Sequence, residues 1–114
     1  MAAGIYNIST EQGDTFTLQF TIDTDGTPLN LTGYTAEMQV RPFTESTTKI
    51  LDLTSPAGIT LGGASGNVSI NVSAATMAAA TAGRHVYDFN IISSGGVVTK
   101  ILKGRFTIIP EVTQ

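Results

Sequence analysis

Residues 12–41 read QGDTFTLQFTIDTDGTPLNLTGYTAEMQVR, and this stretch decides the fold class. Apolar and polar side chains alternate over residues 15–23 and again over residues 35–41, a period typical of half-buried strands. The segment between them is rich in Asp, Gly and Pro, which is typical of turns. The stretch therefore predicts two alternating strands separated by a turn and a short apolar segment that contains Leu29 and Leu31. Their inward residues are Phe16, Leu18, Phe20 and Ile22 in the first strand, and Ala36, Met38 and Val40 in the second.

Outside this stretch, further short apolar segments alternate with Gly-, Ser- and Pro-rich turns at intervals of about 8–12 residues. This spacing predicts an all-β fold, an antiparallel β-sandwich that is Ig-like or jelly-roll-like and has about seven to nine strands. The alanine-rich segment at residues 73–82 breaks the pattern. It predicts one short helical crossover that Ser73 caps, Gly83 ends and Met77 packs beneath the sandwich. In the last strand, Gly104 is a candidate bulge, and Leu102, Phe106 and Ile108 are candidate core residues.

The chain divides into an N-terminal arm or edge strand at residues 1–10, a single sandwich at 11–110 and a short tail at 111–114. Only 13 % of the residues are charged, against about 25 % in ordinary soluble domains. A surface so poor in charge favours association, so we expect a homo-oligomer. The net charge of −3 and scattered Lys and Arg residues argue against nucleic-acid binding. No segment is typical of a signal peptide or of a membrane span, and there is no cysteine.

No group of residues in the sequence has the pattern of an active site. His85 is the only histidine, and without a partner motif we interpret it as a polar residue at a strand end. Asp23 and Asp25 precede a glycine but lack the remaining ligands of a calcium loop, so they indicate a turn. Glu37 and Asp88 are expected on solvated strand faces rather than as a catalytic pair. We therefore expect no enzymatic activity, no catalytic residues, no metal and no cofactor. Tyr34 and Tyr87 are expected to be structural.

Five segments together resemble a family of small tailed-bacteriophage virion proteins, in particular the N-terminal domain of phage baseplate upper proteins. The segments lie in this order: QGDTF at residues 12–16, DGTPLNLTGYTAEMQVR at 25–41, GNVSINVSAATMAAATAG at 66–83, HVYDFNII at 85–92 and VVTKILKGRFTIIPEVT at 97–113. The resemblance covers nearly the whole chain. It departs from that family because the long helical and receptor-anchoring regions of baseplate upper proteins are not present.

The resemblance implies a structural role in a phage particle, as a tail, baseplate or fibre adaptor located in the virion and docked to other phage structural proteins. The alternatives are a head decoration (cement) protein that stabilises the capsid, and a carbohydrate-binding sandwich module. Docking is expected to use the sandwich faces and the terminal arm, without nucleic acid or membrane. The candidate interface residues are Ile5, Tyr6, Ile8, Thr15, Thr17, Gln19, Thr21, Glu37, Gln39 and Arg41.

Overall fold

The structure, a computed structural model, describes residues 4–24, 26–55 and 57–110. Its helices and strands follow the alternating segments of the sequence. In chain order they are β1 (Gly4–Ile5), β2 (Ile8–Glu11), β3 (Phe16–Thr21), β4 (Asp23–Thr24), β5 (Thr27–Pro28), β6 (Thr35–Arg41), β7 (Leu51–Thr54), β8 (Ile59–Leu61), a 3₁₀ turn (Gly63–Ser65), β9 (Asn67–Val72), α1 (Ala74–Ala79), β10 (Gly83–Ile92) and β11 (Val98–Ile109).

Two sheets pack face to face, which confirms the predicted β-sandwich. The large sheet has the order β1-β11-β10-β6-β7, with β2 also paired to β11, and the small sheet has the order β3-β9-β8. Edge-to-face rings join the two layers: Phe16 lies 5.3 Å from Phe106, and Phe20 lies 5.3 Å from Phe89, measured between ring centroids. The largest fully buried side chains among the described residues are Phe89, Phe106, Leu31, Met38, Ile59, Ile70, Met77, Ile91, Ile108, Val40 and Val68.

The strand pairing is not antiparallel throughout, contrary to the prediction. Both β1 and β2 pair parallel to β11, with Gly4 opposite Leu102 and Ile8 opposite Phe106. The other strand pairs are antiparallel. More strands are present than predicted because residues 4–11 contribute two short strands, and β4 and β5 form a further antiparallel pair of two residues each. Asp25, which was predicted to lie in that turn, is outside the described residues.

The predicted crossover helix is present as α1. The Ser73 hydroxyl accepts a hydrogen bond from the Thr76 backbone N–H, and Met77 is completely buried beneath the sheets. The helix ends earlier than predicted, at Ala80, whose N–H bonds to the Met77 carbonyl, so the prediction for Gly83 is wrong. Gly83 is instead the first residue of β10. No helix within residues 4–24, 26–55 and 57–110 is long and apolar enough to span a membrane.

The bulge in β11 lies at a different residue from the one predicted. Phe89 pairs with Leu102 and Asn90 with Lys100, so Ile101 is the extra residue. This register shift turns Ile101 into the core and leaves Leu102, a predicted core residue, half-buried. Gly104 has a separate role. A Cβ atom there would collide with the Tyr6 carbonyl oxygen, so glycine lets the N-terminal segment lie directly on β11.

Candidate functional site

The outer face of the large sheet carries a concentration of basic side chains. Strand alternation turns Arg41 of β6 and Lys103 and Arg105 of β11 away from the core. The register then brings them together, because Val86 of β10 lies opposite Arg41 on one side and Arg105 on the other. Lys100 follows on the same face of β11, opposite Asn90.

These residues surround a shallow hollow of about 710 Å³ that is open to solvent. We call it the basic concavity. Its floor is formed by β6, β10 and β11, and its rim includes Ile5 and Asn7 of the N-terminal segment and Thr44 of the loop after β6. The charged side chains that line it are Arg41, Asp88, Lys100, Lys103 and Arg105.

Two of the basic side chains in the concavity are held by neighbouring groups. The Arg41 guanidinium donates to the Ser46 carbonyl oxygen at 2.6 Å and to Gln39 Oε1 at 2.7 Å. Lys100 Nζ lies 3.3 Å from Asp88 Oδ2, in a half-exposed ion pair. Asn90 Nδ2 also donates to Asp88 Oδ1 at 3.3 Å, so the carboxylate has two partners.

Lys103 and Arg105 differ from these two. Both side chains are exposed, and within the described part of the chain neither forms an ion pair. Asp88 offsets only one of the four positive charges that line the concavity. The lining therefore carries four basic side chains and one carboxylate, in a chain whose net charge is −3.

The rim of the concavity is fixed to its floor by the N-terminal segment. Tyr87 OH donates to the Tyr6 carbonyl oxygen at 2.5 Å, and Asn7 Oδ1 accepts from the Arg105 backbone N–H at 3.0 Å. The Tyr6 N–H in turn donates to the Lys103 carbonyl at 2.9 Å. Burial, together with the nearby Tyr6 hydroxyl, raises the pKa of Tyr87 to about 12, so the phenol stays a neutral donor near neutral pH.

The predicted interface residues do not form one surface. Gln39 and Arg41 line the basic concavity, and Glu37 lies on the same face opposite Asn90. The polar residues of the first predicted strand lie on the outer face of the small sheet, on the opposite side of the sandwich. These are Thr17, Gln19 and Thr21, with Thr15 exposed just before β3. Ile5 and Tyr6 are exposed at the sandwich edge, whereas Ile8 is buried in the core.

His85, interpreted from the sequence as a polar residue at a strand end, is the third residue of β10 and is buried. It is 6 % exposed, and its Nε2 lies 2.7 Å from the Thr81 carbonyl oxygen. Its Nδ1 is buried without a hydrogen-bond partner among the described residues. In the same part of the chain, no three His, Cys, Asp or Glu residues lie together in a way that could hold a metal ion.

Sequence reasoning missed the basic concavity because its residues are far apart in the chain. Arg41 precedes Lys100 by more than half of the sequence, and the basic residues were interpreted as scattered. One signal was present: Lys103 and Arg105 have the same parity in one strand, which places them on one face. Arg41 comes near them only because β6 and β11 both pair with β10, and the alternation of side chains does not reveal this sheet order.

Comparison with known proteins gives no family assignment. No family model matches the chain, and no curated protein matches it. Among solved structures, the chain is similar to the crystal structure of CopC from Methylosinus trichosporium OB3b, with 13 % identity and a TM-score of 0.46. The match covers 100 % of this chain and 90 % of that one. At this level it carries no inference about ligand or location.

These findings overturn the assignment to a tailed-phage virion. Neither the family models nor the curated proteins support the resemblance. The expected baseplate adaptor role, the capsid decoration role and the virion location are therefore wrong, and no match supports the carbohydrate-binding alternative. The physical reason lies in the motifs: a Gly-Asp turn, a DG turn and alternating strands are requirements of many unrelated sandwiches.

Proposed function

We propose that this chain is a non-enzymatic binding module whose basic concavity holds an acidic polypeptide segment. The observation that carries the proposal is the charge distribution. Four of the six Lys and Arg residues of an acidic chain line one hollow, with Asp88 as the only carboxylate in its lining. Like charges gathered on one face are unfavourable for folding alone, and a negatively charged partner would relieve their repulsion.

The state of the four cations supports binding rather than a structural role. Arg41 is oriented by two hydrogen bonds, so its position does not have to be fixed again on binding. Lys103 and Arg105 are exposed and are not engaged in an ion pair with any described carboxylate. They can pair with an incoming acidic side chain without first breaking an internal contact.

The shape of the hollow favours an extended polymer over a small molecule. Small-molecule sites enclose most of their ligand, whereas this hollow is shallow and has its cations spread over three strands. Single-stranded nucleic acid is disfavoured because its sites combine cations with exposed aromatic rings on which bases stack. The one aromatic residue in the lining, Tyr87, is buried against the N-terminal segment.

Catalysis is not part of the proposal, because the described lining holds no nucleophile beside a general base. Asp88 is already engaged by Lys100 and Asn90, and the pKa of Tyr87, raised to about 12, makes it a poor base near neutral pH. The remaining polar side chains of the hollow are amides, cations and the Thr44 hydroxyl.

A labelled oligoglutamate peptide of about twelve residues tests the proposal by fluorescence anisotropy at low and moderate salt. We expect saturable binding that weakens as salt is added. The double variant Lys103→Glu, Arg105→Glu should lose about tenfold or more in affinity. The control, Thr60→Glu with Asn71→Glu, adds negative charge on the outer face of the small sheet, on the opposite side of the sandwich, and should lose less than about twofold.

Three results would each refute the acidic-peptide function. They are the absence of peptide binding at low salt, an equal loss in both double variants, and tighter binding of a single-stranded oligonucleotide of matched charge. The last would assign the concavity to nucleic acid.

A further inference from the structure

We infer that the free edge of β3 pairs with β3 of a second copy of this chain, which forms a symmetric dimer with a continuous six-stranded sheet. This surface is separate from the basic concavity. It lies on the small sheet, where β3 is hydrogen-bonded to β9 on one side only.

A comparison of the sheet edges singles out β3. At the β11 side of the large sheet, the edge strands are β1 and β2, which are only two and four residues long, and β2 ends in the charged Glu11. At the other end, β7 is four residues long and carries Asp52, which is ion-paired with Lys49. The opposite edge of the small sheet, β8, is only three residues long.

In contrast, β3 is six residues long and contains neither a charged residue nor a proline. Charges and prolines are the usual means by which proteins block pairing at an exposed edge. Their absence from this strand leaves its edge able to pair.

The direction of the backbone groups along β3 is set by its pairing with β9. The Ile22 N–H donates to the Gly66 carbonyl on the β9 side at 2.9 Å. Because backbone groups alternate along a strand, the N–H and C=O groups of Thr17, Gln19 and Thr21 point away from β9. These are the groups that a further strand would bond.

An apolar groove of about 540 Å³ runs beside this edge, between β3 and the N-terminal segment. Leu18 and Phe20 of β3 are only half-buried there, and Leu102 of β11 is half-buried on the opposite wall. Ile5 and Tyr6 are among the most exposed apolar side chains of the described residues, at 75 % and 47 %. A strand added to β3 would cover this groove.

The side-chain pattern of β3 fits a second copy as the occupant. In an antiparallel pair with the two-fold axis at Gln19, each Gln19 faces its counterpart, Thr17 faces Thr21 and Leu18 faces Phe20. Each opposed pair lies on the same side of the sheet, and no pair places like charges opposite each other. The outward backbone groups would form about six hydrogen bonds across the axis.

The uncharged edge also argues for self-association over an unrelated partner, since distinct partners are commonly selected by complementary charges and none are offered here. A pair of six-residue strands is small for an interface, so we expect a concentration-dependent dimer with a dissociation constant of about 10 μM.

Charged substitutions of Gln19, the residue on the two-fold axis, test the inference by sedimentation velocity. The wild-type chain should shift from monomer to dimer between about 1 and 100 μM. Gln19→Lys and Gln19→Glu should each remain monomeric in that range, because each places like charges opposite each other. An equimolar mixture of the two variants should recover the dimer.

Thr60→Lys is the matched control, because Thr60 is exposed on the outer face of the same sheet at the β8 edge. It should dimerise as the wild type does. A monomeric wild-type chain at 100 μM, or a loss of dimer in the Thr60 variant with no effect at Gln19, would overturn the inference. Failure of the mixture to recover the dimer would exclude a two-fold axis at Gln19.

A covalent test is independent of affinity, since the chain has no native cysteine. Gln19→Cys places two thiols on the axis, where opposed Cα atoms of a hydrogen-bonded pair lie about 5.5 Å apart, within disulfide range. Mild oxidation should cross-link this variant and not Thr60→Cys. Equal cross-linking of both variants would contradict the inference, and neither outcome bears on peptide binding at the basic concavity.

Discussion

Replacing Tyr87 with Phe removes the hydrogen bond that ties the N-terminal segment to the floor of the basic concavity. The Tyr87 hydroxyl donates to the Tyr6 carbonyl, and the Tyr87 side chain is only 4 % exposed. At pH 8 the loss of this bond should lower the free energy of unfolding by about 1 kcal/mol. The Phe ring keeps the edge-to-face contact with Phe106, so the core itself should be preserved.

The same substitution changes the response to alkaline pH. Burial and the Tyr6 hydroxyl raise the pKa of Tyr87 from 10.0 to about 12 in the folded chain. Below about pH 9 the phenol is almost entirely neutral in both the folded and the unfolded chain, so it contributes little to the pH dependence. Between pH 10 and pH 12 the unfolded chain loses its proton first, so the folded state is destabilised by about 1.4 kcal/mol for each pH unit.

The two effects together predict a reversal. The wild-type chain should be the more stable by about 1 kcal/mol at pH 8, and the variant should equal or exceed it by about pH 11, where ionisation has cost the wild type about 1.4 kcal/mol. Urea unfolding of both proteins at the two pH values measures the difference directly. Amide exchange of the Tyr6 N–H, which bonds to Lys103, reports the local loosening.

A stability difference between the two proteins that stays constant from pH 8 to pH 11 would refute the assigned pKa of Tyr87. Equal stability at pH 8, with unchanged exchange at Tyr6, would show that the 2.5 Å hydrogen bond does not hold the segment.

Three further substitutions test the packing that supports the two surfaces, each by urea unfolding. Gly104→Ala should destabilise the chain by about 2 kcal/mol, because the added Cβ collides with the Tyr6 carbonyl. Gly95→Ala is the control, since a Cβ there meets no atom closer than 3.9 Å. Equal losses of stability in the two variants would contradict the close contact between Gly104 and the N-terminal segment. Met77→Ala should lower the free energy of unfolding by about 2–5 kcal/mol, because the side chain is completely buried. A loss below about 1 kcal/mol would show that α1 contributes little to the packing of the core. Ser73→Ala should cost about 1 kcal/mol through loss of the α1 cap, and an unchanged unfolding midpoint would argue against that cap.

The elements with strong local patterns could be predicted from the sequence. The alternation from Phe16 to Ile22 specifies a strand with one buried face, and the structure confirms it. The run from Ser73 to Ala80 specifies a short capped helix because alanine favours helix and a Ser side chain can accept the first free N–H. In both cases the information lies within a few neighbouring residues.

What could not be predicted depends on distant partners. The sequence does not determine whether Ile8 lies in an arm or in the core. Its burial follows from the pairing of β2 with β11, which places Ile8 opposite Phe106. Ile101 lies in the core in place of Leu102 because one extra residue in β11 shifts the strand register. No pattern in the neighbouring sequence marks the position of that shift. The basic concavity depends on sheet order in the same way.

The parallel pairing of the N-terminal segment with β11 has a consequence for how the chain folds. Asn7 and Arg105, which are hydrogen-bonded, are 98 positions apart, and β10 reaches its place only after the crossover helix. Contacts so distant in sequence require a large loop to close before they contribute, which slows folding. During synthesis, the apolar side chain of Ile8 therefore stays unpaired until Phe106 has left the ribosome. The apolar side chain is exposed to aggregation in that interval, and β2 can be ordered only after β11 has been made.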